Sequence, residues 1–289
     1  LRGQDPFSVL AFESGGAVGS FTERLFLQAA AQLRRNIKGL HDEAAVKAAL
    51  IPAIQTMLDD PDADAATRDA AASVALRLVE DAGDAAGRRL VATAAAPRMA
   101  ASDEPEAIRA LLDRFFAAIA GGDDAEQATT IAAMPHEPLV TAVTNARLFD
   151  RKEAIARLAD LRISALRKAG GTSARERYEL AIWLKGRGVI HGGAGEFDEA
   201  TACFEEAIAL YRDALAAEPS RAIVDGIQDV LTLTAGDDDM TGSYAKADER
   251  IDLLLDIIGW ARDQAVLTDD EADYRRGATL SLRGHMLMA

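Results

Sequence analysis

GEFDEATACFEEA, residues 195–207, is the stretch on which the fold turns. Gly195 permits a tight turn between two helices, because a residue without Cβ can take the left-handed backbone that ends a helix. An acid, Glu196, and an aromatic, Phe197, follow, and then Ala200, Phe204 and Ala207 in the spacing Ala-x-x-x-Phe-x-x-Ala. The small residues Gly188, before the turn, and Ala200, after it, let the two helices approach closely. Phe204 is expected to fill the gap between them, and Phe197 to close the mouth of the hairpin.

Working outward, the helix before this turn, TSARERYELAIWLKGRGVIH (172–191), aligns with TDDEADYRRGATLSLRGHML (268–287). Tyr178 matches Tyr274, Leu184 matches Leu280, and Arg187-Gly188 matches Arg283-Gly284, each at an offset of 96. Between them lies another hairpin: a helix from Arg221 to Ala235, a turn from Gly236 to Gly242, and a helix from Ser243 to about Gln264. Half of 96 is 48, and Phe149 precedes Phe197 by 48. The unit is therefore a helix pair of about 48 residues, within the range of periods that marks a solenoid. Gly242, Tyr244, Ala247 and Ile251 form a weaker second copy of the pattern at Gly195, Phe197, Ala200 and Phe204.

The pattern resembles the second half of a tetratricopeptide repeat, with Leu184 and Gly188 in the matching places of the preceding helix. The resemblance covers roughly residues 135–289. It implies an all-α fold, a right-handed α-α superhelix of antiparallel helix hairpins, whose first helices line a concave face that takes a peptide. The chain departs from the family in several ways. Its unit is longer than the family's period of about 34 residues. Arg187 stands where leucine is usual and His191 where tyrosine is. No proline follows the second helix at the usual distance, although Pro219 ends the lengthened one.

The first helices carry Arg175, Arg177, Lys185 and Arg187, then Arg275, Arg276 and Arg283. The second helices carry acids, among them Glu196, Asp198, Glu199, Asp248, Glu249 and Asp252. Guanidinium groups hold carboxylates with two parallel hydrogen bonds. Arg177, Lys185, Arg187 and Arg283 are thus the candidate receivers of an acidic peptide or a free C-terminus. The competing reading pairs them with acids on adjacent helices.

Upstream, residues 1–39 read as a strand, Ser8-Val9-Leu10-Ala11-Phe12, a glycine-rich turn from Ser14 to Ser20, and a helix from Phe21 to about Ile37. Residues 40–134 read as a helical region: Asp42 to Leu58, Asp64 to Asp81, a break at Pro97, and a strong helix opened by Pro105 and closed by Gly121-Gly122. Residues 135–289 form the repeat array.

Composition narrows the function. A formal net charge of -15 repels nucleic acid and anionic lipid. No apolar run is long enough to span a membrane. The single cysteine, Cys203, allows no disulfide framework and reads as a buried structural thiol. His41, His136, His191 and His285 are scattered, so no metal site is expected. Asp237, Asp239, Thr241, Gly242 and Asp248 echo calcium-loop spacing. However, Lys246 stands at a ligand position and the last acid is aspartate, so a solvated turn is expected instead. Ser14 with Gly15-Gly16 lacks the first glycine of a nucleophile elbow. Gly19-Ser20-Phe21-Thr22-x-x-Leu25 after the strand is similar to the last strand and helix of caspase-like peptidase folds. The expectation is a cytoplasmic scaffold without catalysis or cofactor, binding a protein or acidic peptide. Self-association through an open C-terminal end is expected too. The alternative is an accessory helical region of a larger enzyme, such as a caspase-like peptidase, whose catalytic domain precedes Leu1.

Overall fold

The computed structural model describes residues 43–60, 62–79, 84–170 and 173–286. Twelve helices and no strand occur among these residues. They are α1 (Glu43–Asp59), α2 (Ala65–Leu78), α3 (Ala85–Ala100), α4 (Pro105–Ala120), α5 (Asp124–Ala133), α6 (His136–Leu148), α7 (Lys152–Ala169), α8 (Ala174–Ala194), α9 (Phe197–Ala217), α10 (Arg221–Met240), α11 (Tyr244–Asp263) and α12 (Asp269–Met286). The strand, the glycine-rich turn and the helix expected before residue 39 lie outside the described residues. None of the described helices is long and apolar enough to cross a membrane. A first compact unit ends at Ile155 and a second begins at Ala156, within α7. The sequence reading began its array at 135, whereas α6 packs in the first unit, against α3 and α4.

The first unit is organised around α3. Its sequence, AAGRRLVATAAAPRMA, buries ten of sixteen residues, and it touches α1, α2, α4, α5 and α6. Alanine allows this: Ala92, Ala94 and Ala95 are wholly buried, and small side chains let several backbones approach one helix at once. Three arginines of α3 each reach a different neighbour. Arg89 meets Asp59 of α1 at 2.6 Å, Arg98 holds both oxygens of Asp69 of α2 at 2.9 and 3.0 Å, and Arg88 meets Glu126 of α5 at 2.5 Å. From α4, Arg114 donates to the carbonyls of Leu76 and Val79 at 2.9 and 3.1 Å, placing a cation at the negative end of α2. Pro97, expected to break the chain, lies inside α3 near its end. Burial of the helix on all sides offsets the one backbone donor that proline removes.

The second unit is sequential: α8 packs on α9, α9 on α10, α10 on α11, and α11 on α12. The first two run antiparallel, as their contacts show residue by residue. Along α8 and α9, Gly192 faces Ala200, Gly188 faces Phe204, and the rings of Tyr178 and Tyr211 meet edge-on with centroids 5.8 Å apart. A Cβ at Gly188 would come within 2.6 Å of the Phe204 ring, so the glycine is required for this approach. Burying Phe204 contributes about 2–3 kcal/mol. Gly226 of α10 receives Tyr211 in the same way, also at 2.6 Å.

The repeat is written in the helix ends. Ser173, Ser220 and Thr268 cap α8, α10 and α12, at steps of 47 and 48 residues. Ser173 with Glu176 and Thr268 with Glu271 form reciprocal capping boxes, satisfying orphan donors at both helix starts. Gly195 and Gly242 end α8 and close the α10–α11 turn at φ 81° and 76°. The caps lie 95 residues apart, one fewer than the 96 of the sequence alignment. In cap register Leu184 corresponds to buried Thr279, while Leu280 and Tyr274 are exposed.

Two further expectations are corrected. Phe197 does not close the hairpin mouth: it is the first helical residue after the Gly195 turn, points to solvent, and is 64% exposed. Nor does a turn begin at Gly236, since α10 continues to Met240. The burial of Thr234 and Ala235 carries the helix past the glycine.

Candidate binding face

The candidate residues stand on the first helices, held in register by the serine and threonine caps. Lys185 Nζ lies 3.1 Å from Asp229 Oδ2 on α10. Arg187 Nε lies 2.7 Å from Asp160 Oδ1 on α7. Arg283 spans Asp248 and Asp252 of α11, at 2.7 and 2.8 Å, and these two hydrogen bonds hold its pKa above the ordinary arginine value. Arg177 is engaged as well. Lys185, Arg187 and Arg283 are therefore not gathered in one place. Lys185 faces the next first helix, Arg187 the helix before, and Arg283 the second helix of its neighbouring pair. Each of these three carries its own acid, as the competing reading expected.

A different set does come together, along the seam from α8 through α10 to α12. Asp225 and Asp229, one turn apart on α10, are approached from opposite sides. Lys185 of α8 reaches Asp229, while Arg275 of α12 meets Asp225 at 2.7 Å and the amide oxygen of Gln228 at 2.8 Å. Arg221 and Glu271 add a further link between α10 and α12 at 2.5 Å. Burial raises the Tyr178 phenol pKa, and the charges of Asp225 and Asp229 raise it further. Beneath it Tyr211 is fully buried, its hydroxyl without a hydrogen-bond partner, and burial pushes its pKa well above the ordinary range. The seam thus runs cation, two anions, cation, over an aromatic floor. The signal for it was the pair Asp225/Asp229 at i, i+4, which puts both carboxylates on one helix face.

The acids are mostly exposed, with side chains of Asp229 and Asp225 at 66% and 49% of full accessibility. The cations are more enclosed, with side chains of Lys185 and Arg275 at 26% and 13%. Cys203 is half-buried, and burial raises its thiol pKa. Asp237 and Asp239 lie in the last turns of α10 rather than in an ion-binding loop. No cluster of three or more metal-ligating side chains occurs among the described residues. Comparison with family models, curated proteins and solved structures returns no match.

Proposed function

We propose that the second unit is a scaffold resembling tetratricopeptide repeats, a right-handed superhelix of hairpins whose first helices α8, α10 and α12 receive a segment of a partner protein. The observation that carries this reading is the regular step of 47 and 48 residues between first helices, tied edge to edge by Lys185–Asp229 and Asp225–Arg275. A repeated helix pair cannot bury its apolar face alone, so successive pairs stack and present equivalent side chains in a row. An acidic peptide has a direct way in: its carboxylates take the places of Asp229 on Lys185 and of Asp225 on Arg275, with no new cation to desolvate.

Affinity capture on the intact chain tests this. Lys185→Glu with Arg275→Glu is expected to reduce recovery of the partner about tenfold or more, while Arg212→Glu, exposed on α9, leaves it unchanged. Equal recovery by both variants removes the seam from the binding surface.

A further inference from the structure

The second unit exposes three large apolar side chains at one end: Phe197 at 64%, Met240 at 80% and Tyr244 at 59%. They share one edge of the unit. Arg250 of α11 reaches both Glu205 of α9 and Asp238 of α10, so the start of α9, the end of α10 and the start of α11, which carry Phe197, Met240 and Tyr244, lie at the same edge. The short turn Thr241–Ser243 then brings Tyr244 beside Met240. Phe197 and Tyr244 hold equivalent places, 47 residues apart, as first residues of α9 and α11. Phenylalanine, methionine and tyrosine are the residue types enriched at protein interfaces, where they anchor binding.

The surroundings of this ridge are anionic and uncompensated. The last turn of α10 contains Asp237, Asp238 and Asp239 and no basic residue, at the helix end whose dipole already disfavours negative charge. Arg250 neutralises only Asp238, while also binding Glu205. Asp237 and Asp239 have no ion-pair partner among the described residues, nor does Asp198 on the first turn of α9. Oδ1 of Asp239 is buried without a hydrogen bond. Burial and the neighbouring Asp238 raise the Asp237 carboxyl pKa, so its charge is disfavoured where it stands. Lys246, exposed nearby in the first turn of α11, makes no ion pair among the described residues and is outnumbered.

We infer that Phe197, Met240 and Tyr244, rimmed by Asp198, Asp237 and Asp239, form a second docking surface, at the turn edge and separate from the first-helix seam, for a basic amphipathic segment of another protein. Apolar side chains of the segment cover the ridge. Its lysines or arginines supply the cations that the end of α10 lacks. A nucleic acid or anionic membrane is repelled by the same carboxylates, and a second copy of this acidic chain brings the wrong charge.

The test is fluorescence anisotropy of a labelled amphipathic Leu/Lys peptide, with a Leu/Glu peptide of the same pattern as comparison. The Leu/Lys peptide is expected to bind and the Leu/Glu peptide not. Replacing Phe197, Met240 and Tyr244 by Ser is expected to weaken binding about tenfold or more, while Tyr274→Ser with Leu280→Ser on α12 leaves it unchanged. Asp237→Asn with Asp239→Asn is expected to weaken it several-fold and flatten its salt dependence, while the melting temperature stays level or rises because disfavoured charges are removed. That combination separates lost contact from lost folding. Equal binding by the Ser variant, or by both peptides, overturns the inference. So does concentration-dependent dimerisation that the Ser substitutions abolish, which would make the ridge a self-contact. The seam variant Lys185→Glu/Arg275→Glu is expected to bind the Leu/Lys peptide normally, which distinguishes the two surfaces.

Discussion

The two halves of the molecule solve helix burial in opposite ways. In the first unit one helix, α3, touches five others and shows solvent on almost no side. In the second, each helix from α8 to α12 packs mainly on its chain neighbours, and the pattern repeats at each step. The hub concentrates stability in one alanine-rich element. The row distributes it over successive interfaces, two of them closed by a small residue facing a large ring, at Gly188–Phe204 and Gly226–Tyr211. A hub is cooperative and offers little surface, whereas a row leaves side chains of successive helices exposed along its length, and both proposed binding surfaces lie there.

Damage to the two halves therefore spreads differently. The largest effect is expected at the hub. Leu90 is fully buried in α3, and Leu90→Ala is expected to cost about 3 kcal/mol. Amide exchange should then quicken across α1, α2 and α4 together. Quickening confined to α3 would break the description of the first unit as one cooperative body.

The row should fail locally. An alanine in place of a helical glycine ordinarily gains up to about 1 kcal/mol. At Gly188 that gain is expected to reverse into a loss of about 2 kcal/mol, because the new methyl strikes the buried Phe204 ring. Gly259→Ala on α11 meets nothing within 4 Å and is expected to stabilise. Denaturant titration of the two variants gives the signs, and exchange should rise only around α8 and α9. Stabilisation by both would show that α8 and α9 pack less closely than described.

The smallest effect concerns the caps. Hydrogen bonding from the Thr268 amide lowers the Glu271 pKa from its ordinary value of 4.5; desolvation opposes this, and the Thr268 hydroxyl and the charges of Arg221 and Arg275 lower it further. A carboxylate whose folded-state pKa is depressed stabilises fully above its unfolded value, and this is lost as pH falls through the folded value. Glu271→Gln should therefore lower the melting temperature slightly at neutral pH, and the difference from the parent chain should vanish in acid, below 4.5. A difference unchanged by acid would mean that neither the capping box nor the Arg221 contact depends on the Glu271 charge.

The row was legible in the sequence because its signals are short-range and recur. The Gly195 turn, the Gly188/Phe204 pair and the step of about 48 residues are visible without any fold in hand. The hub was not. AAGRRLVATAAAPRMA has no single apolar stripe, since a helix buried on all sides needs none, and Pro97 argued for a break that burial overrides. Phe197 was misjudged for a related reason. A first-turn aromatic reads the same whether it folds inward or points out, and only the approach angle of α8 and α9 decides. Lys185, Arg187 and Arg283 were recognisable as cations on the first helices, but their acids lie 44, 27 and 35 residues away in sequence.

The amino-acid sequence by itself determined the helical class, the turn at Gly195 and the period of the second unit, because these rest on backbone preference and local pairs of small and large residues. Only the tertiary structure decided that α3 is a hub, which acid neutralises each cation, and that Phe197, Met240 and Tyr244 are left uncovered at one end. Those outcomes depend on which helices meet and in what register, and such contacts join residues that sequence order leaves far apart.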